Sequence, residues 1–392
     1  MLERFWESKV TIKAILLSEN SWQIMETIMS SNDFVCKPIR LLYLPNEIST
    51  TSLQVGPRAA FNEMTEDQTL SAYQLFSFLF EANKVGETTS WEKRLIDLAN
   101  DFQPSVIFWQ HIGKLPITVD LIKQLKGLPN KPLLIYHEGD IHGKFRSRIT
   151  PSMKILARFS DITFLVGLGE NAELFKKAGA RKIIYSPHSV DTTRFGHDWN
   201  RTTQGRRGVV MIANHIISKP IIQHIPPLRF PGILEREKFA LNLYKHFGDR
   251  FKLYGRGWEK YPFSIGLLPY DDQEIALRQH LVSVNWDHFP DIPFYFSDRL
   301  PISMISGVVH TTNYHPGYEL MFKNGEEMVY YQTIKDAIDI IDWMLCQPDK
   351  YLIDMGYAGE QYARKNLTSN IVYRRMIEII KNEIVKKCYS ES

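Results

Sequence analysis

The residues best suited to chemistry stand where short apolar runs end. The run PLLIY leads into His137-Glu138-Gly139-Asp140, with His142 just beyond. His137, Glu138 and Asp140 put three ionisable groups into four residues, which suits acid–base work. His137 can donate a hydrogen bond to a sugar hydroxyl or a phosphate, and Asp140 or Glu138 can take a proton from an incoming hydroxyl. A polar loop with a surface histidine gives the same pattern. No HExxH and no His–carboxylate facial set stands at fixed helical spacing, so no metal is expected.

A second group of candidates lies further along. GVVMIAN runs into Asn214-His215, with Lys219 and Arg229 beyond. A nucleoside diphosphate needs positive charge and free N–H donors placed after a strand. This turn lacks a glycine-rich loop and also reads as a plain connection. Tyr254-Gly255-Arg256-Gly257 follows another strand; its glycines let backbone approach a ligand closely, or simply make a tight turn. In 295–331, Ser297-Asp298-Arg299 precedes an apolar helix ended by Gly307, and the next strand runs into Tyr314-His315-Pro316-Gly317-Tyr318-Glu319. The Pro-Gly turn is expected to aim the Gly317 and Tyr318 N–H groups at a bound anion, with Glu319 opening the following helix. Helix charge compensation accounts equally for Glu319, and a surface ion pair for Arg299.

The elements that must hold these residues alternate between apolar runs and amphipathic stretches, the pattern of an α/β protein with parallel sheets. Strands are expected at 13–18, 39–45, 105–111, 132–140, 161–167 and 181–187. Helices are expected around 68–83 and at 91–101, 117–126 and 170–180, the last closed by Gly179. A polar stretch, HDWNRTTQGRRG, then reads as a linker. A second series follows, with strands at 208–214, 251–255, 281–286, 307–313 and 327–331 and helices at 233–247, 333–346, 349–365 and 369–387. The expected division is 1–197, a linker at 198–207, 208–368, and a terminal helix at 369–392. Ligands of such open sheets bind outside the carboxyl ends of the strands.

Composition narrows the function classes. The 392 residues comprise 47 Lys and Arg against 44 Asp and Glu, a net charge of +3 that gives no reason to expect nucleic acid as a partner. The three cysteines, Cys36, Cys346 and Cys388, are far apart, which fits a reducing compartment and neither a disulfide framework nor a zinc ribbon. Glu3, Glu7, Lys9 and Lys13 interrupt the apolar start, so no secretory signal is expected, and no apolar run is long enough to span a bilayer. Aromatic residues, at 12%, suit large buried surfaces or a sugar- or base-stacking cleft.

The segment SDRLPISMISGVVHTTNYHPGYELMFKNGEEMVYYQTIKDAIDIIDWML resembles the C-terminal half of GT-B glycosyltransferases, in particular family 4 and the "glycosyl transferases group 1" proteins. FQPSVIFWQH, PLLIYHEGD and the run ending in Pro187, Asp191 and Phe195 resemble the first-domain series of the same enzymes. The resemblance implies two Rossmann-like domains facing each other across a cleft, with the last helix crossing back to the first. It implies transfer of a sugar from a nucleotide-sugar to a saccharide or lipid-linked acceptor, with retention and without a metal or other cofactor. His137 matches a donor-contacting histidine, Asn214 and Lys219 a phosphate-contacting turn, and Gly317, Tyr318 and Glu319 the turn that holds the donor. The family's carboxylate pair falls at Phe294 and Ile302, neither acidic, leaving Asp298 as the nearby carboxylate. That departure leaves retention or inversion open and supports a binding or scaffold protein as an alternative; a nucleotide-sugar epimerase of the same fold is a third reading. The location implied is cytoplasmic. The terminal helix, with Ile371, Val372, Met376, Ile379, Ile380 and Ile384 on one face and basic residues elsewhere, either docks on the body or touches the inner membrane surface.

Overall fold

The computed structural model describes residues 38–84, 88–145, 147–216 and 229–391. The strand expected at 13–18 and the candidate Lys219 lie outside the described residues.

Valine-, isoleucine- and leucine-rich runs form β1 (Arg40–Leu44), β3 (Val106–Gln110), β4 (Leu133–Glu138), β5 (Ile162–Leu165) and β6 (Ile183–Tyr185). They are covered by α1 (Val55–Glu66), α3 (Trp91–Phe102), α4 (Val119–Lys126), α5 (Pro151–Phe159) and α6 (Glu170–Lys177). The helix expected around 68–83 is replaced by an edge strand, β2 (Ala72–Leu75), and one helical turn, α2 (Phe78–Ala82). The alternation decides it: Tyr73 and Leu75 face the core while Gln74 is exposed. All strands pair in parallel in the order β2-β1-β3-β4-β5-β6.

The second series forms β7 (Val209–Ile212), α7 (Ile233–Phe247), β8 (Phe251–Tyr254), β9 (Ser264–Gly266), α8 (Gln273–Arg278) and β10 (Val282–Val284). It continues with α9 (Arg299–Ile305), β11 (Val309–Asn313), α10 (Tyr318–Met321), β12 (Val329–Tyr331), α11 (Ile334–Leu345), α12 (Asp349–Asn366) and α13 (Ser369–Glu391). Its sheet is also parallel throughout, in the order β12-β11-β10-β7-β8-β9. Both faces of each sheet are covered, which is why the strands read as nearly continuous apolar runs.

Strand order reverses between β1 and β3 in the first sheet and between β7 and β10 in the second. At such switch points the connections leave in opposite directions and open a crevice at the carboxyl ends. Asn46, Gln110 and His111 stand at the first; Asn214 and Asp287 stand at the second.

The terminal helix docks. Val372, Tyr373, Met376, Ile377 and Ile380 are buried in one cluster with Tyr43, Phe61 and Phe108 of the first sheet layer. Each such side chain adds about 1.5–3 kcal/mol. Arg374 bonds Asp67 at 2.8 Å and Lys182 bonds Glu383 at 2.6 Å, fixing the helix along both sides. The crossing is pinned by a bridge between Val190 and Thr368. The linker is held as well: Trp199 lies under the guanidinium of Arg206, at 4.3 Å, and that of Arg278, at 5.2 Å.

Candidate active site

A cavity of about 700 Å³ lies between the carboxyl ends of the two sheets. Asn46, Gln110, His111, His137 and Asp140 line it from the first; Tyr295, Ser297, Asp298 and Arg299 line it from the second. Ser369 and Tyr373 of α13 complete the wall, so the docked helix is part of the site.

The strand-end group of β4 divides into an inner and an outer part. Glu138 is fully buried and meets His111 Nδ1, the Tyr136 hydroxyl and the Asp140 N–H, the last at 2.9 Å. His142 Nε2 lies 3.5 Å away. Burial alone would raise the Glu138 pKa, but the hydrogen bonds and charges of His111 and His142 hold it well below the ordinary carboxylate range. Burial would lower His111 and His142; Glu138 outweighs it and raises both. Glu138 therefore does not meet an incoming hydroxyl, contrary to expectation, because both its oxygens are occupied inside the protein. Asp140 does face the cavity, with its side chain 70% exposed.

His137 lines the cavity with both ring nitrogens unpartnered. Burial, helped by His188, brings its pKa down to about 4, so it is neutral at ordinary pH and presents one donor and one acceptor. His188 also lines the cavity and is lowered by burial.

On the opposite wall Ser297, Asp298 and Arg299 start α9. Asp287, buried at the end of β10, accepts from the Ser297 N–H at 3.2 Å and thereby fixes this start. Burial would raise Asp287; His315, Arg236 and Arg299 lower it instead. Arg236, itself buried, donates to the Trp286 carbonyl at 2.7 Å and lies 3.9 Å from Asp287. Arg299 Nη1 is 3.9 Å from Asp298, and both side chains reach the cavity. The Ser297 hydroxyl is buried without a protein partner.

Other sequence candidates are placed elsewhere. Asn214 Oδ1 accepts from the Arg256 N–H at 3.0 Å, so these two residues tie one strand-end loop to another. A Cβ at Gly255 would lie 2.1 Å from the Ala213 carbonyl oxygen: the glycine admits neighbouring backbone, not a ligand. The Gly317 N–H donates to Glu319 at 3.2 Å and the Tyr318 N–H to the His315 carbonyl at 3.1 Å, so neither is offered to an anion. Gly317, at φ +97°, packs under the Phe294 ring. Tyr318 is buried and donates to the Tyr295 carbonyl at 2.9 Å; Glu319 is exposed and accepts from the Tyr314 hydroxyl at 2.9 Å. Gly255, Arg256, Asn214, Gly317, Tyr318 and Glu319 do not line the cavity. Phe294 and Ile302 are buried apolar contacts, so no carboxylate pair forms there.

Sequence reasoning overlooked His111, His188 and Tyr373. The available signal for His111 was a polar residue ending a strand next to the one that ends in His-Glu-Gly-Asp. His111, Glu138 and His142 bring three possible metal-ligand atoms within 4.8 Å of one another. Their chemistry fits a hydrogen-bonded relay better than a cation site. Glu138 already accepts from an O–H and an N–H, and an ion there would break its bond to His111.

The glycosyl transferase-like family matches residues 236–378. No curated protein matches the sequence. Among solved structures, Anabaena HepE in complex with UDP and glucose aligns with a TM-score of 0.54 at 10% identity, over 88% of this chain and 100% of its own. A glycosyltransferase from Rickettsia africae gives 0.55 at 10%, over 89% and 99%. Sucrose-phosphate synthase from Thermosynechococcus elongatus gives 0.57 at 9%, over 90% and 100%. The chain thus has the GT-B fold of glycosyltransferases, with the match to the glycosyl transferase-like family lying in its second half.

Proposed function

We propose that this chain is a glycosyltransferase that moves a sugar from a nucleotide-sugar donor to a hydroxyl of a saccharide or lipid-linked acceptor. The observation that carries this is the cavity at both switch-point sheet ends, with Arg299, Asp298 and Ser297 facing His137, His111 and Asp140. In this reading Arg299, Lys219 and nearby N–H donors balance the charge on the leaving diphosphate, without a metal. His137, neutral and unpartnered, bonds the donor sugar or its phosphate. UDP and glucose in HepE make uridine diphosphate sugars the first donors to try. Among the described residues no helix is long and apolar enough to cross a membrane. The apolar face of α13 is occupied by the first domain, so any contact with a lipid-linked acceptor's membrane uses its outer basic residues, such as Lys381 and Lys386.

The test is calorimetric titration with UDP-, GDP-, CMP- and dTDP-sugars, then turnover with and without EDTA. Binding of one donor at or below millimolar concentration is expected, and Arg299→Ala should weaken it about tenfold to hundredfold, the worth of a charged hydrogen bond. Failure of every donor to bind overturns the reading; loss of turnover in EDTA overturns metal independence. The apolar residues at Phe294 and Ile302 favour a second reading, a scaffold that binds nucleotide without turnover. Donor binding with no transfer and no hydrolysis across an acceptor panel would select it, and isomerised donor without acceptor would select an epimerase.

A further inference from the structure

We propose that Asn285 and His310 are positioning residues for the donor: through one water held between them they fix the Arg299 guanidinium toward the cavity. The inference rests on the reading that Arg299 meets the diphosphate of a nucleotide-sugar.

The runs LVSVNW and GVVHTTN form buried strands, yet both carry polar residues at inward positions. β10 and β11 pair in parallel with Ser283 opposite His310. Side chains alternate along a strand, so Val282 and Val284 enter the core on one face while Ser283, Asn285 and His310 stand on the other. That second face is covered by α8 and α9, whose Leu277, Leu300 and Met304 cluster with Val210 of β7. Beneath this cover lies a chamber of about 10 Å³, with Ser283, Asn285, His310, Gln273 and Arg299 in its wall. A space of about that volume admits one water molecule.

Asn285 and His310 are each 1% exposed. Both polar atoms of the Asn285 amide, and Nε2 of His310, are buried without a protein partner. His310 Nδ1 is taken by the Ser283 hydroxyl at 3.3 Å, and Gln273 spends an amide N–H on the Tyr270 carbonyl at 3.2 Å. Burial brings the His310 pKa down to about 4, so the ring is neutral and does not repel a guanidinium. A buried amide left unbonded is costly, and an apolar side chain would serve this face better if packing were its whole purpose. A water that bonds Asn285, His310 Nε2 and Arg299 satisfies all three, and about three bonds is what a buried water makes.

Arg299 lines both this chamber and the large cavity, so its side chain stands between them. Among the described residues no hydrogen bond holds its guanidinium. Its ion-pair partner, Asp298, lies 3.9 Å away and is 44% exposed, a weak hold on a long, flexible side chain. The chamber anchors the guanidinium from behind. A guanidinium has further N–H groups to spare, and those on the cavity side stay available to an anion.

The experiment uses the full chain with UDP and uridine as probes, or the matching pair for whichever base binds in the titration above. UDP is titrated by calorimetry and uridine by saturation-transfer NMR. Asn285→Leu nearly keeps the side chain's size and removes its bonding; His310→Leu removes the other partner. Each should weaken UDP about threefold to tenfold, the worth of one hydrogen bond. Uridine, which has no phosphate, should stay within twofold of native and thereby also reports folding of each variant. Added to Arg299→Ala, Asn285→Leu should cost UDP nothing further, because the group it positions is gone. A crystal structure should place one water within hydrogen-bond reach of Asn285, His310 and Arg299. UDP affinity within twofold of native in both variants, equal weakening of UDP and uridine, full additivity with Arg299→Ala, or a chamber without water overturns this inference and leaves the transferase reading standing. An Arg299→Ala chain that binds UDP as tightly as native overturns the inference together with the placement of the diphosphate at Arg299. Failure of every donor to bind overturns the transferase reading as well.

Discussion

Gly317→Ala separates a structural glycine from a ligand-binding one. Gly317 has φ +97°, in the left-handed region, where an alanine costs about 1–2 kcal/mol. Its new Cβ would lie 2.4 Å from Cε1 of Phe294, with Cδ1 at 2.7 Å and Cζ at 2.8 Å. The ring cannot simply swing aside, because Phe294 is 5% exposed and packs on Tyr185 at 5.6 Å between centroids. Overpacking of that kind costs about 1–3 kcal/mol. Together these give a loss of about 2–5 kcal/mol, or about 4–20 °C in the melting transition of the second domain. Phe294→Leu in the same chain should relieve the overpacking part, so the pair should couple favourably by about 1–3 kcal/mol. Scanning calorimetry of the two single variants and the double variant reads this, and donor titration runs beside it. A Gly317→Ala protein that melts within 1 °C of native yet binds donor much more weakly would refute the reasoning and return the turn to the binding site.

Two further outcomes follow from burial. Ile377 is fully buried in the cluster where α13 meets the first sheet layer, so Ile377→Ala should cost about 2–5 kcal/mol in thermal unfolding; a loss under 1 kcal/mol would mean that the helix is not docked as described. His137 has a folded pKa of about 4 against an ordinary 6.5. Protonation therefore favours the unfolded chain: the contribution is complete above pH 6.5 and is lost as pH falls toward 4, a span corresponding to about 3 kcal/mol. His137→Gln should flatten the melting temperature between pH 6.5 and 4 relative to native, and superimposable profiles would contradict the burial argument.

Most strands were legible because parallel strands covered on both faces read as uninterrupted apolar runs, and the carboxyl end of β4 was readable as a site for the same reason. The edge strand β2 was not, since an edge carries too few apolar residues to separate it from a helix. Helix α5 carried its own signal, Thr150 capping and Pro151 at the first position, between the strands expected at 132–140 and 161–167, where no helix was expected. The role of His111 depends on Glu138, which is distant in sequence and is brought alongside only by the β3–β4 register pairing Gln110 with His137. For Gly317 the need for a positive φ was readable, while its purpose was not. The Phe294 ring that fills the place of a ligand comes from a different loop, and no local pattern announces it.

The chain passes between the two halves twice, and both passages run along one edge. The Val190 N–H donates to the Leu367 carbonyl at 2.8 Å, the Ser369 N–H donates back to Val190 at 2.9 Å, and Arg364 reaches the Gly196 carbonyl at 2.7 Å. Two cords knotted side by side act as the spine of a book. The cavity between the covers is lined from both of them, so a ligand that touches both walls holds them together. A cut anywhere in 198–207 severs one cord and leaves the volume bound.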